Sequence, residues 1–475
     1  MNEYGLWIAG RQVRTGRVET VTTPYDGAPF AAIHLAGGKE LEAAVQAAAR
    51  AKPVMRSLTA AARSDILYRA YHLLLERKDL FAQTISSESG KPLREALLET
   101  ERAALTILFS AEEAHRLAGE VVPMDAAAAG AGRMAMTVRE PVGVIAAITP
   151  FNFPLNLSLH KIAPAIAAGN SVVHKPATST PISAILLARL FHEAGLPEGA
   201  LNVVAGHGSE VGDPLVEDPR VAMVTFTGSA EVGLRIRQRA GLKRVTLELG
   251  NNSALIVHHD ADVEECAARA VPGAFAHSGQ VCISIQRILV HRDIAVPFTD
   301  LFLRKTQSLK IGHPLDPATQ VSSLITHSEA ARAERWIRFA EAGGARLLAG
   351  GNRTGATIQP TVLADVAPEA DLWRNEAFAP VACFRTYETL DEAVSLMNAS
   401  PYGLQAGIFT RSLDAAFEAA LQAKVGGFLI NDVPQYRLDH MPYGGVKLSG
   451  IGREGPKYAV EEMTEPKLIS WRWKP

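Results

Sequence analysis

The chain has 475 residues, with 48 Lys plus Arg against 50 Asp plus Glu and a formal net charge of -2. Its length is about three times a typical domain of ~150 residues, so two or three domains and a large apolar core are expected. The charge balance excludes a nucleic-acid binder held by a general basic field. Three cysteines, Cys266, Cys282 and Cys383, are too few and too scattered for a disulfide framework or a zinc cluster.

The opening MNEYGLWIAGRQ lacks the basic and apolar runs of a signal peptide, so a cytoplasmic protein is expected. An Ala-rich amphipathic helix is predicted over Lys39–Lys52, and others over about 60–80, 92–116, 157–168 and 180–194. Residues 141–160 carry no Lys, Arg, Asp or Glu, but Pro141, Pro150 and Pro154 interrupt them, so no membrane span is expected. Short Val- and Ile-rich runs at Val142–Ile148, Ser171–His174, Asn202–Ala205, Val221–Phe226, Val245–Glu248 and Ala254–Val257 read as buried parallel strands. Strands alternating with helices over 171–257 give an α/β fold class with a nucleotide-binding sheet.

The usual nucleotide fingerprints fail. Gly206–Gly212 reads GHGSEVG, with the wrong glycine spacing, and GSAEVGL from Gly228 has Leu234 where a phosphate loop needs Lys. Phe226-Thr227-Gly228-Ser229 does end a strand and open a helix, where free N–H groups suit a pyrophosphate.

Three residues stand out for chemistry. Cys282 lies in SGQVCIS, a polar loop between a helix-like stretch (262–276) and a strand (Gln286–Val290), whereas Cys266 and Cys383 sit in apolar elements and read as structural thiols. Glu248 ends the apolar strand VTLEL, where an ionised carboxylate needs either a salt bridge or a task. Asn152, between two aromatics in TPFNFP, reads either as a turn residue or as an amide donor.

Seven motifs then fall into register: TPFNFPL (149–155), KPAT (175–178), FTGS (226–229), LELG (247–250), GQVC (279–282), EAFAP (376–380) and PYGGVKLSGIGRE (442–454). In order and spacing they resemble the aldehyde dehydrogenase superfamily over almost the whole chain. The resemblance implies Cys282 as the nucleophile toward a small aldehyde, forming a thiohemiacetal and then a thioester. It implies Asn152 and the Cys282 N–H as oxyanion donors and Glu248 as the base that activates hydrolytic water. It places Thr149 and Pro150 beside the coenzyme, Lys175 at the adenosine ribose and Gly228 and Ser229 at the pyrophosphate. Glu376 should hold the nicotinamide ribose, with Phe378 packed nearby. The coenzyme is NAD or NADP: Thr178 stands where NAD-preferring members often carry a ribose-binding Glu, which favours use of NADP.

Val281 and Ile283 would wall the substrate tunnel. Arg102, His160 and Arg437 would surround its mouth and receive an anionic group on the substrate. Against this, an arginine taken alone reads more readily as a solvated helix or loop residue, and Val281 replaces an Arg that glyceraldehyde-phosphate enzymes carry. No metal is expected. The fold implied is a Rossmann-like coenzyme domain (1–118 and 140–249), an α/β catalytic domain (250–455) and a small β oligomerisation element (119–139 and 456–475). Leu468, Ile469, Trp471 and Trp473 in the tail call for a partner chain, so a homodimer or homotetramer is expected. The alternatives are a non-catalytic structural or binding homologue and a thiol esterase.

Overall fold

A computed structural model describes residues 1–473; the last two residues of the expected tail lie outside it. Five apolar segments form the parallel centre of an eight-stranded sheet. They lie side by side in the order Arg244–Glu248, Val221–Thr227, Val144–Ile148, Ser171–Lys175, Leu201–Val203. Every residue of Val144–Ile148 and Ser171–Lys175 is buried, as both faces of the sheet carry helices. Gly450–Ile451 adds an antiparallel edge on one side, and the hairpin Leu6–Ile8 with Arg11–Val13 closes the other. Connections run outward in both directions from Val144–Ile148, so the crevice between its C-terminal end and that of Val221–Thr227 is a topological switch point, where open α/β sheets bind ligands.

A second, seven-stranded sheet contains Arg346–Ala349, Thr361–Ala364, Val381–Tyr387, Ile285–His291, Ser253–Val257, Gln405–Phe409 and Gly427–Ile430, in that order. All its neighbours are parallel except the edge Arg346–Ala349. Helices Val263–Phe275 and Ala295–Gln307 fill one apolar core, and His327–Ala342 and Leu390–Asn398 fill another. A three-stranded ribbon stands apart, in which Thr464–Arg472 pairs antiparallel with Arg133–Pro141 and Val121–Val122 flanks it. Its Leu468 is 60% exposed and Trp473 58%. Before the ribbon, helix Pro456–Glu462 sends Ala459, Val460 and Met463 into the core of the first sheet.

The helix expected over 60–80 is two helices, Ala60–Glu76 and Lys78–Ser89, joined at Arg77 (φ -108°, ψ 17°). The second ends on left-handed Gly90 (φ 73°), a stop signal lying beyond the predicted boundary. The first helix runs from Gly38 to Ser57, past Pro53, because burial of Met55 outweighs one lost backbone bond. Among the described residues no helix is long and apolar enough to cross a membrane.

Candidate active site

A cavity of about 470 Å³ opens at the switch point and reaches Cys282. Its walls begin with strand ends. Thr149 and Pro150 follow Val144–Ile148, and the Thr149 hydroxyl is fixed 2.9 Å from His174 Nε2. Gly228 and Ser229 follow Val221–Thr227; Ser229 caps helix Ala230–Arg239 by accepting the Val232 N–H at 3.4 Å. A Cβ on Gly228 would lie 2.4 Å from the Phe226 ring, so any larger residue here would have to displace that ring.

Lys175 and Arg235 line one end of the cavity. Burial pulls the Lys175 ammonium down to about 8. Thr178 is not among the lining residues; its hydroxyl donates to Gly206 O at 3.1 Å, which commits its one hydrogen to the protein. Toward the other end, burial raises the Glu376 carboxyl to about 7, although it accepts the Asn251 N–H at 2.9 Å. Phe378 lines the wall with a left-handed backbone (φ 47°) and meets Phe151 edge-to-face. The cavity, with the Lys175 ammonium and the half-buried Glu376 carboxylate both on its wall, fits a dinucleotide.

At the inner end, His277 (φ 49°), Ser278 (φ 55°) and Gly279 (φ 72°) form three successive left-handed residues that turn the chain onto Cys282. The thiol does not sit in polar surroundings, as the sequence suggested. Val281, Ile283, Leu404, Phe153 and Tyr443 make an apolar nest around it, because the loop folds inward. Burial raises the Cys282 thiol to about 11, against the downward pull of a hydrogen bond from Tyr443, whose hydroxyl is 2.9 Å from Sγ. Asn152 lines the cavity beside it and donates one amide hydrogen to Gln280 O at 2.8 Å.

The TPFNFP segment is anchored from behind. Lys91 and Glu99 form a fully buried ion pair, Glu99 accepts the Leu155 and Asn156 N–H groups at 3.0 and 3.1 Å, and Lys91 lies over the Phe153 ring.

Glu248 is buried without a salt bridge among the described residues, and neither carboxylate oxygen accepts a hydrogen bond from them. Burial, then the neighbouring Glu454, push its carboxyl well above the usual range. It is not among the cavity-lining residues and faces a layer of charges instead. In that layer Lys161 donates to Glu454 at 2.6 Å and to Thr227 at 2.7 Å, and Arg437 lies 3.2 Å from Glu454. Arg437 also meets His160 at 3.2 Å, His160 meets Asp439 at 2.9 Å, and Arg102 grips Asp439 through two bonds of 2.9 and 3.1 Å. Arg102, His160 and Arg437 thus come together but, unlike an open anion site, each already has a partner within the protein. Desolvation requires this, since a buried cation left alone is costly.

The model of the aldehyde dehydrogenase family matches residues 7–469. This chain belongs to that family. It is an NAD(P)-dependent aldehyde dehydrogenase by kinship and fold. The 3-sulfolactaldehyde dehydrogenase of Priestia megaterium is 48% identical over 469 residues, 99% of this chain and 98% of the relative. The crystal structure of aldehyde dehydrogenase 21 from Physcomitrella patens, in complex with the reaction product succinate, is 39% identical with a TM-score of 0.97, covering 99% of this chain and 98% of that one. The NADP-dependent glyceraldehyde-3-phosphate dehydrogenase of Bacillus halodurans, complexed with NADP, is 37% identical with a TM-score of 0.97 over all of both chains.

Sequence reasoning for this aldehyde dehydrogenase missed Tyr443, Glu454, Lys161 and Asp439. Tyr443 and Glu454 lie inside PYGGVKLSGIGRE, a motif that had served as a register mark and not as a source of side chains. Lys161 could have been flagged as the first charge after the uncharged run 141–160, on a helix with no exposed face.

Proposed function

We propose that the chain oxidises a small anionic aldehyde to its carboxylic acid, with Cys282 as nucleophile and NAD or NADP as coenzyme. The observation that carries this reading is the placement of the Cys282 thiol at the inner end of a dinucleotide-sized cavity, beside the Asn152 amide. A bound nicotinamide supplies the hydride acceptor for the oxidation. Thr149, Pro150, Gly228, Ser229 and Phe378 would shape its site, with Lys175 and Glu376 taking the two riboses.

The thiolate of Cys282 adds to the aldehyde carbon, and the oxygen left negative is held by the free amide hydrogen of Asn152 and the Cys282 N–H. After oxidation, the acyl group remains on sulfur as a thioester. Glu248 then takes a proton from water, which attacks the thioester and releases the acid. For this the Glu248 side chain must swing from the charge layer into the cavity. Its lack of any hydrogen bond leaves it free to do so.

Two observations support an anionic substrate. The charges that act on Glu248 are three cations (Lys161, Arg437, Arg453) against one other carboxylate (Glu454), so positive charge is in excess there. Three of the relatives point the same way, two being named for sulfolactaldehyde and glyceraldehyde 3-phosphate and one holding succinate, although others are named for the neutral lactaldehyde. We place the enzyme in the cytoplasm as a homodimer or homotetramer joined through the exposed ribbon.

A substrate panel tests this reading. Sulfolactaldehyde, succinate semialdehyde and phosphonoacetaldehyde should exceed propanal in kcat/KM, measured by coenzyme reduction. Arg102→Ala should cost the anionic substrates roughly 1.5–3 kcal/mol and propanal little. Equal losses for charged and neutral aldehydes would leave Arg102 purely structural.

A further inference from the structure

Tyr443 lies in the loop after strand Gly427–Ile430 and is buried against the nucleophile. Its hydroxyl and the Cys282 sulfur are each other's one side-chain hydrogen-bond partner among the described residues, 2.9 Å apart. The other groups in the nest are apolar: Val281, Ile283, Leu404 and Phe153. A phenyl ring would fill this place equally well, and burying a hydroxyl costs stability unless it has a partner. Behind the ring, the Arg437 guanidinium stacks 3.6 Å from the ring centre, itself held by Glu454 and His160.

We propose that Tyr443 is a positioning residue for the nucleophile, its hydroxyl donating to the Cys282 sulfur in the thiolate form while Arg437 lies against its ring. The proposal rests on the reading of Cys282 as the nucleophile. A thiolate can only accept, so in that state the phenol must be the donor. A hydrogen bond to the charged form favours that form. The phenol keeps its own proton, because burial and the neighbouring thiol push its ionisation well above the usual range. Four groups on three segments of the chain act on the thiol's ionisation. Tyr443 and Arg437, on one loop, favour the thiolate. Glu376, after helix Asp371–Arg374, and Glu248, at the end of Arg244–Glu248, oppose it. Burial opposes it most, which makes the one direct hydrogen bond decisive.

Tyr443→Phe removes the oxygen and leaves the ring on Arg437. The measurement is the pH dependence of Cys282 alkylation by iodoacetamide in dinucleotide-free enzyme, with the site located by mass spectrometry. Thiolate absorbance near 240 nm, referenced to Cys282→Ala, gives the same midpoint independently. A charged-group hydrogen bond of ordinary strength corresponds to roughly one pH unit. The midpoint should therefore rise by about that much, with alkylation about tenfold slower below it. Tyr443→Met, with a different shape and no hydroxyl, should give the same midpoint as Tyr443→Phe. A wild-type midpoint in either variant, with an unchanged thermal melt, overturns the proposal. If instead the label lands elsewhere and Cys282→Ala still oxidises aldehydes, the underlying reading of the nucleophile fails.

Discussion

The coenzyme cleft and the charged layer behind Cys282 serve one reaction centre but are built by opposite means. The cleft is made by backbone: two neighbouring parallel strands end, their chains part, and Gly228 and the cap of helix Ala230–Arg239 occupy the gap. The charged layer is made by side chains from distant places. Arg102 meets Asp439 across 337 residues, and Lys161 meets Glu454 across 293. A cleft fixed by topology tolerates much side-chain change. A layer in which each buried ion satisfies another does not.

The largest effect should come where the two regions meet. Cys282→Ala removes the covalent step, so aldehyde oxidation should vanish, while dinucleotide affinity, measured by fluorescence titration, should stay near wild type. Loss of both together would mean that the thiol also shapes the cleft, and the contrast between the regions would collapse.

The next effect belongs to the layer alone. Lys161→Met takes away the shorter of the two ion pairs of Glu454, leaving Arg437 alone beside a carboxylate that Lys161, His160 and Arg437 together hold well below the usual range in spite of burial. Removing one member of a buried pair costs about 3–5 kcal/mol. Denaturant unfolding should show that loss, and Lys161→Met with Glu454→Leu should recover much of it. A change below about 1 kcal/mol would mean that the layer is wet and its charges are loosely held.

The same contrast explains what could be read from the sequence. The strands around the cleft are short runs of Val, Ile and Ala buried on both faces, so local composition locates Ser171–Lys175 and Val221–Thr227 to within a residue. Motif register brings Asn152, Lys175, Gly228, Glu376 and Cys282 to one cavity. Local signals do not extend to the layer. Nothing around Asp439 says that it will neutralise Arg102, because that pairing depends on how a loop near the C-terminus returns to the first sheet through Gly450–Ile451. Nor does the sequence SGQVCIS show its burial. Its polar residues turn toward backbone partners, as Ser278 does with Ser322, and leave the sulfur among apolar side chains.

Glu248→Gln probes the boundary by a step of the reaction. The amide keeps the shape but cannot take a proton from water. Reduced coenzyme should appear in a rapid burst, followed by slow turnover. In wild type the hydrolytic step should quicken as pH rises, since burial and Glu454 raise the Glu248 carboxyl and it serves as a base only once it has lost its proton. If the burst itself disappears in Glu248→Gln, the carboxylate serves thiol ionisation and not hydrolysis.

The smallest effect lies in the cleft, at Lys175 and the neighbouring Thr178. Thr178 offers no carboxylate that would repel a 2′-phosphate, yet its hydroxyl hydrogen is committed to Gly206 O. Tolerance of NADP then comes from the missing repulsion, and attraction falls to Lys175. Burial lowers that ammonium to about 8, so its charge is present at pH 7 and is progressively lost above pH 8. A bound phosphate pulls the proton back, which delays the loss in the complex. NADP affinity should therefore fall by up to about tenfold between pH 7 and pH 9.5, the worth of one charge-assisted hydrogen bond, while NAD affinity changes less. Thr178→Glu should weaken NADP binding at both values and shift preference toward NAD. If NAD and NADP weaken in step on raising the pH, Lys175 grips the shared part of the dinucleotide, and discrimination at this end of the cleft lies with another group on its wall, such as Arg235.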